Sequence, residues 1–232
     1  MSNVQVIAHR GASRAERENT LEAFRRAGLM GADAVELDVR RTADGAMAIH
    51  HDASLSDGRV ICEVQSADLP AHIPMLSAAL DACEGMWVNI EIKNHPADAD
   101  FDASDTLAAK VAAHLEERGE DHRWLISAFH RPTVDAMLTF RPEVRTAWLT
   151  EGVRDEDCER VARDLAGFGH TALHPYTKYL TRHCIEVFHA HGLQVNSWTI
   201  DDPARMAEVI GWGIDGICTN VPDVAIQVRG AQ

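Results

Sequence analysis

Along nearly its whole length the chain alternates short apolar runs with segments whose apolar residues recur at the helical period. The runs fall at residues 4–9, 34–40, 46–51, 86–93, 124–129, 146–150, 172–174, 193–200 and 216–220. Amphipathic helix candidates lie at 20–30, 77–83, 104–118, 132–140, 156–165, 181–191 and 203–212. Parallel strands need a crossover between them, usually a helix, so this alternation predicts βαβ units around a parallel sheet. The 232 residues suffice for one core and fall slightly below the roughly 250 typical of a β/α barrel. No linker, low-complexity segment or shift in composition divides them. The expected fold is therefore α/β, a TIM-type (β/α)8 barrel forming a single domain over residues 1–232. An open doubly wound sheet is disfavoured, because no glycine-rich phosphate loop follows the first run.

Nine runs are one too many for a closed barrel of eight. The surplus traces to Asp44-Gly45, a strong tight-turn signal. If these two residues form the turn, the flanking arms are antiparallel and His51 lies opposite Asp38. If both arms are barrel strands, residues 172–174 are the extra piece. The pattern leaves both open.

Acidic side chains number 36 against 22 basic, a net charge of −14. That balance argues against nucleic acid or stable membrane association, both of which need clustered Lys and Arg. A small anionic substrate remains compatible if a metal or a few cations reverse the field locally. The five cysteines are scattered without CxxC spacing and read as small buried hydrophobes in a reducing compartment. The N-terminal residues show no charged region followed by a long apolar core, and no apolar run reaches membrane-spanning length. A cytoplasmic protein is expected; oligomeric state is not readable.

The chemistry begins at Ala-Val-Glu-Leu-Asp-Val-Arg, residues 34–40. Val35, Leu37 and Val39 alternate with Glu36 and Asp38, so both carboxylates share one strand face. Asn-Ile-Glu-Ile-Lys, residues 89–93, repeats the pattern, with Asn89, Glu91 and Lys93 opposite Ile90 and Ile92. In a barrel the apolar face meets the helices and the acids point inward. Buried carboxylates must be paired or bound to a cation. Oxygen-only ligation suits one hard divalent cation, Mg²⁺ or Ca²⁺; interior ion pairs with Arg40 and Lys93 are the alternative. His9 and His51 close two of the runs, and barrel active sites collect at the C-terminal ends of strands. Imidazoles there can divide general acid and base duties, while Arg10 and Lys93 supply positive charge for a phosphodiester.

Taken in order, Ile-Ala-His-Arg-Gly (7–11), Glu-Asn-Thr-Leu-Glu-Ala-Phe (18–24), Gly-Ala-Asp-Ala-Val-Glu-Leu-Asp-Val (31–39), Thr-Ala-Asp-Gly (42–45), His-Asp (51–52) and Asn-Ile-Glu-Ile-Lys (89–93) resemble the glycerophosphodiester phosphodiesterase family. Residues 195–202 and 212–222 are similar to that family's last two barrel strands. The resemblance implies a TIM barrel that hydrolyses a small-molecule glycerophosphodiester to sn-glycerol 3-phosphate and an alcohol. It implies a divalent cation at Glu36, Asp38 and Glu91, and a catalytic pair at His9 and His51. Arg10 and Lys93 match phosphate-contacting positions. Trp198, which reads as a core residue on its own, matches an aromatic lining the site. The nucleophile is either water or the neighbouring glycerol hydroxyl, and the acid and base are not distinguished.

Departures from the family pattern concern substrate choice. Only 21 residues separate His51 from Ile73, leaving little room for a capping insertion. Met75 and Ser77 replace a familiar threonine and glutamate, and no Arg-Thr follows His51-Asp52. A phospholipase-type barrel and a barrel that binds metal or ligand without turnover are the rival readings. His130, His170, His174, His183, His189 and His191 lack metal-ligand spacing.

Overall fold

The computed structural model describes residues 4–231, so the residues 1–3 on which the leader expectation partly rests lie outside it. Eight parallel strands close into a barrel: β1 (Gln5–His9), β2 (Ala34–Arg41), β4 (Trp87–Ile92), β5 (Trp124–Ala128), β6 (Arg145–Thr150), β7 (Ala172–Pro175), β8 (Gln194–Ser197) and β9 (Gly216–Thr219). Closure is direct, since β1 pairs with β9 on one side and β2 on the other. Outside the ring, β3 (Met47–Ile49) adds to β2 as an antiparallel arm. The arm is the surplus run, and residues 172–175 belong to the barrel.

The register of β3 corrects one expectation. Val39 lies opposite Ile49, and the His50 amide donates to the Asp38 carbonyl at 3.0 Å, so His50 rather than His51 neighbours Asp38. The cause is the turn. Thr42 N–H bonds the Ala46 carbonyl at 2.9 Å, leaving three residues in the loop instead of two, with Gly45 at φ +76°. One added residue shifts the pairing by one.

Seven helices follow the expected segments within a few residues: α1 (Leu21–Met30), α2 (Leu76–Ala82), α3 (Thr106–Arg118), α4 (Arg131–Phe140), α5 (Cys158–Phe168), α6 (Arg182–Ala190) and α7 (Pro203–Gly211). Thr20 caps α1, its hydroxyl accepting from Ala23 N–H at 3.2 Å. An eighth helix, α8 (Pro222–Gly230), was not expected; its buried residues are only Pro222 and Ala225, too few to give a legible stripe. Val35, Leu37, Val39, Ile90 and Ile92 all pack outward against the helices. Consequently Glu36, Asp38, Asn89 and Glu91 point into the barrel, as period-two alternation requires.

The run from β3 to α2 forms a small apolar cluster of its own beside the barrel, from Ala48, Leu55, Ile61, Val64 and Ile73. All five cysteines are free; Cys62 is half-buried and the other four are buried. No helix among the described residues is long and apolar enough to cross a membrane.

Candidate active site

Where β1 ends, the chain turns sharply: Arg10 has φ +56° and Gly11 φ +82°. A Cβ on residue 11 would lie 2.6 Å from the Ala23 carbonyl carbon, so the close approach of α1 requires glycine. The turn leaves His9 lining the barrel mouth and aims the Arg10 amide at Glu36 Oε2, 2.9 Å away. Arg10 Nη1 reaches Glu18 at 3.0 Å, and Nε lies 3.3 Å from Asp38 Oδ2.

Glu36, Asp38 and Glu91 each offer an oxygen within 4.8 Å of the others, and all three are buried. Lys93 Nζ sits 2.6 Å from Glu91 Oε1 and 3.2 Å from Asp38 Oδ1. Asn19 Nδ2 donates to Asp38 Oδ2 at 2.7 Å. Arg40 does not pair with these acids, contrary to one sequence alternative. Its guanidinium holds Asp100 at 2.7 Å and Asp98 at 3.0 Å, and its Nε donates to the His51 carbonyl at 2.8 Å. Three carboxylates thus face two cations, Arg10 and Lys93, leaving one negative charge in surplus.

The surplus falls on Glu36. Burial, reinforced by Asp38 and Glu91, pushes its carboxyl well above the usual carboxylate range. Burial also opposes the Asp38 charge, yet Lys93 and Arg10 outweigh it and hold that carboxyl well below its ordinary value. Glu36 Oε1 and Asn89 Oδ1 are buried with no hydrogen-bond partner. Orphaned acceptors beside an uncompensated charge, in an all-oxygen donor set, fit a hard divalent cation.

In metal-free protein the Glu36 carboxyl titrates above its unfolded value, so its contribution is greatest below that value and is lost as pH rises through the folded one. Glu36→Gln keeps an acceptor for the Arg10 amide and removes the charge. The variant should melt higher than wild type near neutral pH when both are metal-free, by about 2–4 °C for each 1 kcal/mol of repulsion relieved. With metal the order should reverse. A lower melting point for the metal-free variant would assign the cluster to ion pairing alone. Glu91→Gln is a poorer probe, because it also loses the Lys93 contact at 2.6 Å.

His51 follows β3, its Nδ1 2.7 Å from Asp52 Oδ1. Burial lowers the ring pKa of both His9 and His51. The opposite wall is aromatic. Trp198 donates its indole N–H to the His174 carbonyl at 2.9 Å and meets Phe129 edge-on and Tyr176 at a tilt. His9, Arg10, Glu36, His51, Glu91, Lys93 and Trp198 line one cavity of about 460 Å³ including its open mouth. Asp38 lies just behind, contacting Arg10 and Lys93.

Asn89, placed on the inward face without a role, His174, set aside for want of metal-ligand spacing, and Asn196, not singled out, also line this cavity. His174 is fully buried at the end of β7, its pKa pushed down to about 3 by burial, with Nε2 3.0 Å from Asn196 Nδ2. The inward register of Asn89 was legible beside Glu91; His174 and Asn196 carried no signal beyond strand parity. His170, by contrast, is a structural residue between Thr146 and Asp135.

A closed β/α barrel with an inward carboxylate triad, two cations, one histidine at the end of β1 and a second on the arm after β3, all meeting in one cavity, defines a barrel enzyme whose site suits an anionic substrate. Residues 9–224 match the Glycerophosphoryl diester phosphodiesterase family, and the chain belongs to that family of phosphodiesterases. The glycerophosphodiester phosphodiesterase of Bacillus altitudinis is 27% identical over 252 residues, covering 97% of this chain and 98% of its own. That of Caldanaerobacter subterraneus is 28% identical over 247 residues, covering 96% of each. An Oleispira antarctica phosphodiesterase, solved with the product sn-glycerol-3-phosphate, superposes with a TM-score of 0.87 at 25% identity over 97% of this chain and 96% of the other.

Proposed function

We propose that this chain acts as one barrel domain that hydrolyses small-molecule glycerophosphodiesters to sn-glycerol 3-phosphate and an alcohol, with one Mg²⁺ or Ca²⁺ held by Glu36, Asp38 and Glu91. The observation that carries this reading is the carboxylate triad with a surplus charge and an orphaned oxygen, in the cavity that both histidines line. The product held by the Oleispira antarctica structure supports the glycerol phosphate half of the substrate.

When bound, the cation draws negative charge from the phosphate and so eases attack on phosphorus. Arg10 and Lys93 bring fixed positive charge to the same mouth and orient the phosphate oxygens. Between them, His9 and His51 remove a proton from the attacking hydroxyl and return one to the departing alcohol oxygen. Trp198 and Phe129 form an apolar wall suited to the glycerol carbons, with Tyr176 packed against Trp198. The net charge of −14 favours free diesters in solution over anionic lipid surfaces.

Glycerophosphocholine tests the reading through the bond that breaks. Phosphorus NMR of the reaction should show sn-glycerol 3-phosphate accumulating as free choline appears. Phosphocholine and glycerol as products would place the leaving group on the wrong side of phosphorus and overturn it.

A further inference from the structure

The parity that turns Glu91 into the active site also places side chains at the opposite mouth of the barrel. Gln5, Trp87, Arg145 and Gln194 are the first residues of β1, β4, β6 and β8. Each shares strand parity with a residue that lines the active-site cavity: His9, Glu91, Leu149 and Asn196 respectively. Alternate strands of a β/α barrel contribute one interior layer, so these four form its N-terminal layer. Branched aliphatic side chains dominate such layers; here the layer holds an arginine. Together with Ile210 and Ile214 the four line a cleft of about 1060 Å³ including its open mouth.

A guanidinium drawn into a barrel mouth ordinarily has an acid beside it. Arg145 is half-buried and makes no ion pair among the described residues; burial lowers its pKa, and no acid offsets that. In a chain with 36 acidic and 22 basic side chains, the reason is not a shortage of acids. The group is nonetheless fixed. Its Nε donates to the Trp124 carbonyl at 3.4 Å and its Nη2 to the His122 carbonyl at 3.1 Å. Its Cζ lies over the Trp87 ring, 5.3 Å from the centroid, and the Trp87 indole N–H is held by Gln5 Oε1 at 3.2 Å. Nη1 engages none of the described residues. Asp215, the acid on the cleft wall, turns Oδ2 to the Val195 N–H and to His189 Nε2, each at 2.7 Å.

The charge to be matched is therefore single. A phosphate dianion would bring one negative charge too many into a cleft that already holds Asp215. A carboxylate balances Arg145 and leaves its hydrocarbon to Trp87, Ile210 and Ile214. We propose that this cleft, on the barrel face opposite the catalytic cavity, is a second binding site for a small carboxylate monoanion with a short apolar body, gripped through Arg145 Nη1. It depends on no particular reaction at the other face.

Butyrate is the probe and butyramide its uncharged counterpart, with chloride holding the ionic strength constant. In metal-loaded, ¹⁵N-tryptophan-labelled protein, the indole N–H signals of the five tryptophans separate the two faces. Those of Trp87 and Trp198 are assigned by their loss in Trp87→Phe and Trp198→Phe. Butyrate should move the Trp87 signal saturably, and butyramide should leave it in place. Trp198 reports any carboxylate drawn to the catalytic cavity, so binding there is not mistaken for binding in the cleft. Arg145→Gln should weaken butyrate binding by at least ~10-fold, as for the loss of a hydrogen bond to a charged group. Its kcat and its Trp198 signal should stay at wild-type values. Gln194→Glu puts a competing carboxylate in the cleft and should weaken butyrate by a similar factor; Gln194 is exposed, so this change leaves the packing around Arg145 alone. A Trp87 signal that does not move, or that moves equally with butyramide, overturns the proposal. So does undiminished butyrate affinity in folded Arg145→Gln or, should that variant not fold, in Gln194→Glu.

Discussion

His9→Ala and His51→Ala are each expected to lower kcat on glycerophosphocholine by roughly 10²–10⁴, the usual range for losing a general acid or base. KM should move far less, because the proposed mechanism leaves the phosphate to the cation, Arg10 and Lys93. The double variant should be less than additive, since residues that act as a unit fail together. The leaving group separates the two: p-nitrophenolate departs with little help from a proton, so a p-nitrophenyl ester should largely rescue the variant that lacks the acid and not the one that lacks the base. His50→Ala is the control. The His50 ring turns to the Asp52 carbonyl at 2.9 Å, and it is absent from the cavity that His9 and His51 share. Steady-state kinetics on folded variants decides the matter. Loss of less than tenfold in both single variants would remove the acid–base assignment, and equal damage from His50→Ala would show that the loop, not the ring, matters.

Removing the cation should be as severe. Exhaustive chelation is expected to lower turnover by roughly 10²–10⁴, corresponding to the several kcal/mol a bound cation contributes to charge stabilisation. Mg²⁺ or Ca²⁺ should restore it, because the donor set is all oxygen. Glu36→Gln should raise the metal concentration for half-maximal rate by more than the roughly 10–100-fold typical of a lost outer-shell partner. Atomic absorption of the chelated sample fixes the reference point. Undiminished turnover in protein shown to be metal-free would end the metal-dependent mechanism.

The inward acids were legible because alternation along a strand is geometric: once Leu37 and Ile90 face the helices, Glu36 and Glu91 have nowhere else to go. The partner of Asp38 was not. Pairing along β3 depends on a two- or three-residue loop, and the left-handed conformation of Gly45 decides that. Arg40 shares the parity of Asp38, and an ion pair with the acids was the alternative to a bound cation. Near the top of its strand it reaches over the rim instead, to Asp98 and Asp100, residues about sixty positions away whose arrival no local pattern announces. The contact of Asn220 with His9, at 2.8 Å, was invisible for the same reason: it forms only because β9 closes the ring beside β1.

The bond from Arg40 to the His51 carbonyl has a consequence for how the enzyme meets changes in acidity. In the proposed mechanism His51 changes charge during each turnover, and a ring held only by its charged form would loosen whenever the proton left. Here the anchor is a guanidinium, which stays protonated in proteins, gripping a main-chain oxygen, which does not titrate. The loop is fixed by groups indifferent to the proton, and the ring it carries is free to exchange one. Scaffold and proton carrier are thereby separated within a single residue.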